Sequence, residues 1–367
     1  MKKANPAKLL CTRHERELSN LRDLSAQIGS DPLLVQASNG NTSIKLGGIL
    51  WIKASGKLLS DALQADSFVP LDLSQVRASI RRNLEISAHS ALQGNSSPSI
   101  ETAMHAVIRH RVVIHVHSIN AIAWAILLDG AELLKERLAG LHWRWVPYAA
   151  SGLPLAQEVE SAIAERPETD VFILGNHGLV VCGHDCRSAE KLLRQVEQRL
   201  WIAPRSAPTP DAAVLEMIAR FTNWRFPEEQ LVHALGTDDL SLQIAKGGIL
   251  YPCQAIFLGA TFPLLPATIS IANFSKESRD GCASSYVTFE KCGTMLGDKI
   301  TPAERATLVA LVEVTLRTSE STPLRYLNGA EVTHVLNDSA HSYKTEVATE
   351  KKTNFPAAVA VPADRLN

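Results

Sequence analysis

The stretch "APRSAPTPDAA", from Ala203 to Ala213, places three prolines in a segment without apolar periodicity. Proline lacks the N–H that a helix interior or a central strand needs, and it biases the residue before it away from helix. Neither kind of element can run through this stretch, so the chain is expected to fold as two units joined here. Residues 1–202 form the first, 203–213 a linker, and 214–345 a second, smaller α/β unit of unknown role. Residues 346–367 have no supporting periodicity and are expected to be a disordered tail. With 367 residues and a 46% apolar composition, the chain is long enough for two globular units with real cores.

Charge and cysteine usage narrow the class. Lys and Arg number 37 against 38 Asp and Glu, so no basic excess points to nucleic acid or to an anionic membrane surface. Two lysines open the chain, but no apolar h-region follows them, and no apolar run reaches the length of a spanning helix. The cysteines (Cys11, Cys182, Cys186, Cys253, Cys282 and Cys292) are scattered and read as reduced thiols of a cytoplasmic protein. Cys182 and Cys186 flank His184 as C-x3-C. A buried strand thiol and an unrelated thiol at a helix start explain that spacing better than a second metal site.

In the first unit a helix is expected from Arg13 to Ile28, with strands at Thr42–Leu46 and Ile49–Lys53 around a Gly-Gly turn. Residues 72–84 and 101–110 read as helices, "VVIHVHSIN" as a strand, and Ala121–Leu128 as a helix. "WRWVPY" is then a short strand, 154–166 a helix, and "DVFILGNHGLVVCG" two strands about a turn. A helix with Ala189, Leu192, Leu193, Val196 and Leu200 on one stripe follows. In the second unit "GGILYPCQAIFLG" and "SSYVTFEKCGTML" look strand-like. Thr301, Pro302 and Glu304 announce a helix with a capping box. A weak echo links "NHGLVVCGHDCRSAEKLLRQVE" to "KCGTMLGDKITPAERATLVALVE", with Cys292 opposite His177, as if the second unit were a degenerate, metal-free copy.

Side chains two apart on a strand point to one face, so His115 and His117 project together, as two imidazoles on one metal must. H-x-H is common by chance, and a satisfied pair of core histidines is the default. Two other segments weigh against it. Glu101 opens a helix in "SPSIETAMHAV" and could act as a general base, or could simply favour the helix N-terminus. His177 sits between Gly175 and Gly178 in a turn facing a cleft, or is an ordinary turn residue. Three His without a fourth ligand describe an open, catalytic zinc site. The turns "SNGNTS" and "KASGK" offer N–H groups and short polar side chains for a phosphate, with Lys53 and Lys57 as counter-charges, although such residues also make plain hairpins.

The ordered set "GNTS", "SG", "PS-x-E", "H-x-H-S" and "NHG" makes residues 13–200 resemble the class II aldolase/adducin family. "GNTSIK", "WIKASG", "PSIET" and "WRWVPY" are most similar to the aldolase half of bifunctional rhamnulose-phosphate aldolase/alcohol dehydrogenase proteins. No G-x-G-x-x-G follows, so the dehydrogenase half is expected to be absent. The resemblance implies an α/β/α aldolase-type domain around a central, largely antiparallel sheet, and a homo-oligomer, with a tetramer favoured. It makes His115, His117 and His177 ligands of zinc or another divalent transition metal. Glu101 becomes the catalytic acid/base, able to approach the metal when no substrate is bound. Gly40, Asn41, Ser55, Gly56 and Ser99 become the substrate- or phosphate-binding residues. Several family members carry Ser directly before the Glu, where this chain has Ile100, which removes one phosphate hydroxyl. A proton-donating tyrosine is found in some aldolases, for which Tyr148, Tyr326 and Tyr343 are candidates.

The implied activity is reversible, zinc-dependent cleavage of a sugar or sugar acid, expected to be phosphorylated, to a ketone fragment and an aldehyde. Epimerisation and decarboxylation use the same kind of metal site within the family. A non-catalytic adducin-like or sugar-phosphate-binding protein is the reading from a different class. His105, one turn after Glu101, is expected to make a structural hydrogen bond rather than to orient the carboxylate.

Overall fold

The apolar run Val112–Val116 becomes the middle strand, β4, of a seven-stranded sheet in a computed structural model that describes residues 6–64, 66–86, 91–92, 96–266 and 284–338. The strands are β1 (Asn41–Leu46), β2 (Ile49–Lys53), β3 (Phe68–Asp72), β4, β5 (Trp143–Val146), β6 (Val171–Leu174) and β7 (Gly178–Gly183), ordered β3-β2-β1-β4-β7-β6-β5. Every pairing is antiparallel except β5 with β6, as expected for a largely antiparallel sheet.

Both faces of this sheet are covered, which is why β4 reads as continuously apolar. Val112, Ile114 and Val116 pack toward α1 (Pro6–Gly29) and α7 (Cys186–Leu200), beside Leu21, Leu193 and Val196. Val113 faces the other way, toward α2 (Leu73–Arg81), α3 (Thr102–Val107) and α6 (Leu153–Glu165), with Met104 and Val159. Alternation along the strand therefore sends His115 to the α3 side of the sheet. α4 (Ile119–Ala125) leads into α5 (Gly130–Arg137) and divides its apolar surface: Ala121 and Ala125 face the first core, while Ile119 and Ile122 face a second.

That second core belongs mostly to the carboxy-terminal unit. α8 (Ala212–Phe221), α9 (Ala234–Thr237), α10 (Asp239–Gly247) and α11 (Pro252–Leu258) precede a three-stranded sheet. Its strands are β8 (Leu264–Leu265), β9 (Tyr286–Phe289) and β10 (Gly293–Leu296), followed by α12 (Pro302–Leu316) and α13 (Gly329–Asp338). Ile119, Ile122 and Ile126 share one apolar cluster with Leu250, Ile256, Leu308 and Leu311. The proline-rich stretch has no regular structure from Trp201 to Asp211 but is not a loose tether. The Arg205 guanidinium pairs with Asp238 at 2.6 Å and donates to the carbonyls of Thr315 and Thr318 at the end of α12. The tail 346–367 and Tyr343 lie outside the described residues.

One strand expectation is corrected. "GGILYPCQAIFLG" is the end of α10, a loop and the helix α11, with Pro252 in its first turn. Cys253 through Leu258 are all buried, and a helix buried all round has no polar face to give a 3.6-residue period. "SSYVTFEKCGTML" does form strands, and the Thr301–Glu304 capping box is present with Pro302 behind it.

The weak sequence echo has a geometric counterpart. β8 runs parallel to β9 with Leu265 opposite Phe289, as β5 runs parallel to β6 with Val146 opposite Leu174. Both hairpins then turn through three residues, closing at Leu174–Gly178 and Phe289–Gly293. Asn176 (φ 52°) and Lys291 (φ 63°) take the same left-handed conformation. Each turn also hangs from a preceding helix, Asn176 N on Ala125 O at 2.9 Å and Lys291 N on Gly236 O at 2.8 Å. Arg225 bridges Leu296 as Ile114 pairs with Val181, so Phe226, Glu228 and Cys292 stand where the first unit has His115, His117 and His177. This is the arrangement expected of a degenerate copy that lacks the ligand set.

Candidate metal centre

Three imidazoles converge at the end of β4. His115 is the last residue but one of the strand and His117 follows its end on the same face, while His177 enters from the β6–β7 turn, whose neighbour β7 pairs with β4. Gly178 makes the close approach possible, since a Cβ there would lie 2.6 Å from Val116 O. Gly40 (φ 67°) plays the same part on the other side, where a Cβ would meet His115 O at 2.9 Å. The rings sit 4.9–5.0 Å apart, edge to face, and all three are buried.

Their Nε2 atoms point inward. His115 Nε2 and His117 Nε2 are 3.2 Å apart, and two imidazoles on a tetrahedral zinc at 2.0–2.1 Å are separated by about 3.3–3.4 Å. A carboxylate completes the cluster. Glu101 Oε2 is 3.3 Å from His115 Nε2, and Oε1 is 3.2 Å from His177 Nε2. Glu101 makes no capping bond to α3, so its side chain serves the cluster and not the helix end. The ligand atoms of the three His lie within 4.8 Å of one another, and among the described residues this is the single such group of His, Cys, Asp or Glu. Cys182 is buried in β7 and His184 pairs with Asp185 at the surface, so the C-x3-C segment makes no second site.

Burial outweighs the attraction of Glu101 and pushes His115 down to about 4, and it holds His117 well below the ordinary imidazole range. Neutral imidazoles can accept a metal without first losing a proton. Burial pushes the Glu101 carboxyl up, but His115 and His177 together pull it well below the usual carboxylate range. Each lowered group stabilises the fold above its ordinary pKa and loses that contribution as pH falls. Metal-free protein is therefore expected to lose thermal stability as pH drops from about 6.5 toward 4. A melting temperature that stays flat across that window would contradict the buried neutral cluster.

Of the expected phosphate residues, Gly40 and Asn41 line the cleft above the imidazoles. Asn41 Nδ2 donates to Glu101 Oε2 at 2.8 Å and to Ser99 Oγ at 3.1 Å. Ser55 and Gly56 form the neighbouring turn, tied to the Ser99 segment by Ser55 N on Ser97 O and Ser99 N on Lys53 O. They do not line the cleft itself. The Lys53 ammonium points back at the carbonyls of Ser38 and Lys57, at 3.1 and 2.5 Å, and knits the two turns together. Lys57 pairs with Asp66. His105 meets Ser43 Oγ at 2.7 Å, a structural bond.

The cleft also has walls outside the expected metal and phosphate set. Ile100, Tyr148 and Ser151 come from the first unit, with Ser151 Oγ 3.4 Å from Glu101 Oε1. Pro252, Cys253 and Ile256 of α11 and His334 and Val335 of α13 close it from the second unit. The Tyr148 hydroxyl is buried without a hydrogen-bond partner, and the Arg325 guanidinium lies 5.0 Å over its ring.

A family model described as the Class II Aldolase and Adducin N-terminal domain matches residues 23–203. These residues form a class II aldolase/adducin domain. The uncharacterized oxidoreductase YuxG of Bacillus subtilis is 29% identical over 173 residues, 42% of this chain but only 25% of its own length. The L-fuculose phosphate aldolase of Methanocaldococcus jannaschii is 27% identical over 177 residues, 46% of this chain and 86% of that protein. The methylthioribulose-1-phosphate dehydratase of Pectobacterium carotovorum is 25% identical over 179 residues, 44% and 80% respectively. The aldolase/adducin domain thus holds the His cluster and Glu101, while α11 and α13, which wall the cleft, lie beyond the matched residues. No helix among the described residues is long and apolar enough to cross a membrane.

Proposed function

We propose that this protein is a divalent-metal-dependent aldolase, zinc being the expected ion, that reversibly cleaves a sugar or sugar acid carrying a phosphate. The observation that carries the reading is the convergence of three inward Nε2 atoms and one carboxylate in a single cleft. His115, His117 and His177 hold the ion. When bound, it supplies Lewis-acid stabilisation of the negative charge that C–C cleavage leaves on the ketone fragment.

The chain's own groups do the rest. In the condensation direction the Glu101 carboxylate takes the proton from the carbon that becomes nucleophilic, and in cleavage the carboxyl so protonated returns it to the carbon that keeps the bonding electron pair. Asn41 and Ser151 hold the carboxylate in position for this transfer. The Gly40–Asn41 turn meets the anionic end of the substrate and fixes the reacting carbon near Glu101, while Ser99, tied to the Ser55–Gly56 turn, braces Asn41 from behind. Tyr148 is assigned as the group that protonates the aldehyde oxygen in condensation. Its hydroxyl is unpartnered, and burial, with the Glu331 charge adding to it, pushes it up to about 12, which keeps the proton on. Tyr326 instead donates its hydroxyl to Ile244 O and lies outside the cleft. In this reading residues 1–202 act as the catalytic domain, 203–213 as the connection and 214–345 as its cover.

Similarity to the dehydratase favours a second reading, loss of water from a ketose phosphate at the same centre. One experiment separates them. Zinc-loaded protein is incubated with ketose 1-phosphates and the products are weighed by mass spectrometry. Two fragments support the aldolase; one product lighter by a water supports the dehydratase. Stoichiometric binding with no turnover of any substrate would instead indicate a binding protein. For the aldolase, Tyr148→Phe is expected to lower kcat about 10²-fold with metal content unchanged.

A further inference from the structure

The outward nitrogens of the imidazoles have unequal surroundings. His115 Nδ1 faces the Leu179 carbonyl of β7 at 3.1 Å, a contact within the aldolase/adducin domain. His117 Nδ1 faces Cys253 Sγ of α11 at 3.3 Å, and that sulfur lies 3.2 Å from Asn39 Oδ1. The thiol and the imidazole are both buried. We infer that Cys253 is the outer partner of His117, so that the carboxy-terminal unit sets how tightly the centre holds its metal. The inference rests on the metal-binding part of the proposed function.

The bond directions follow from the tautomer. If His117 Nε2 is to face a metal, its proton sits on Nδ1 and is donated to Sγ. The thiol then gives its own proton to Asn39 Oδ1, in the same turn as Gly40 and Asn41. His117 is thereby held in ring orientation and tautomer by a side chain 136 residues away. Outer partners of this kind typically account for 10–100-fold in metal affinity.

The position of α11 strengthens the case. Measured between equivalent points of the two repeated arrangements, Leu265 lies twenty-nine positions after Gly236, against twenty-one from Ala125 to Val146. α11 occupies the surplus, so the helix that reaches His117 is an addition the first unit lacks. The same unit also grips the His177 turn. Asn176 Nδ2 donates to Leu250 O and Arg325 O at 2.9 and 2.8 Å, and Arg325 Nη1 donates to Asn176 Oδ1.

The test measures zinc affinity of the full chain by chelator competition, with melting temperature as a check on folding. Cys253→Ala removes the acceptor and is expected to weaken zinc binding at least 10-fold. Cys253→Ser keeps an acceptor and a donor and should stay within about 3-fold of wild type. A folded Cys253→Ala that binds zinc as tightly as wild type overturns the inference while leaving the metal reading intact. A wild-type chain that binds no divalent metal overturns both. Should Cys253→Ala fail to fold, the His117 ring proton decides in zinc-loaded wild type and Cys253→Ser, observed by ¹⁵N-edited NMR. A resonance that shifts between the two supports the contact, and one that does not move overturns it.

Discussion

Glu101→Gln is expected to lower turnover by about 10²–10⁴-fold while zinc remains bound. The substitution keeps the size of the side chain and removes its capacity to carry a proton. Asn41 Nδ2 now donates to Oε2, and that contact can survive on the Gln carbonyl, so the loss should appear in kcat and not in folding. The carboxylate accounts for most of the chemistry done by the chain itself, because among the described residues no other carboxylate lines the cleft. Turnover at the wild-type rate with metal bound would remove Glu101 from the reaction and leave it as a buried partner of His115 and His177.

The second large effect is expected from the imidazoles. Substituting His117 or His177 by Ala should reduce zinc affinity well beyond the 10–100-fold that an outer partner contributes, because a direct ligand is lost from a set of three. Chelation of wild-type protein should abolish activity reversibly. It should also lower the melting temperature, since metal at a thousand times its dissociation constant stabilises the fold by about 4 kcal/mol. Titration calorimetry and differential scanning fluorimetry check both. If His177→Ala binds zinc as wild type does, the turn histidine is not a ligand and the cluster is a hydrogen-bonded core feature.

Much of the centre was legible beforehand because its parts are local. The H-x-H spacing places two rings on one strand face by the period of a strand, and His117 and His115 indeed point together. The His177 turn is likewise local, framed by Gly175 and Gly178. Lys53 reads as a counter-charge because a lysine in a polar turn is ordinarily solvated; burial turns it inward onto the carbonyls of Ser38 and Lys57. Helix α11 reads as strand in the sequence because a helix enclosed on every side shows no amphipathic period, leaving composition as the only cue.

The sequence by itself determined the strand carrying His115 and His117, the turn carrying His177, the proline break and the capped helix at Thr301. Each follows from periodicity, glycine freedom or capping within a few residues. Only the tertiary structure decided that the second unit closes the cleft and that Cys253 touches His117. It also decided that the three-stranded sheet repeats the β5–β6–β7 arrangement without the ligands. The cleft closure and the Cys253–His117 contact join residues more than a hundred positions apart. They depend on which buried surfaces meet, here the Ile119–Ile122 side of α4 against Leu250, Ile256 and Leu311, and local spacing in the chain carries no trace of that choice.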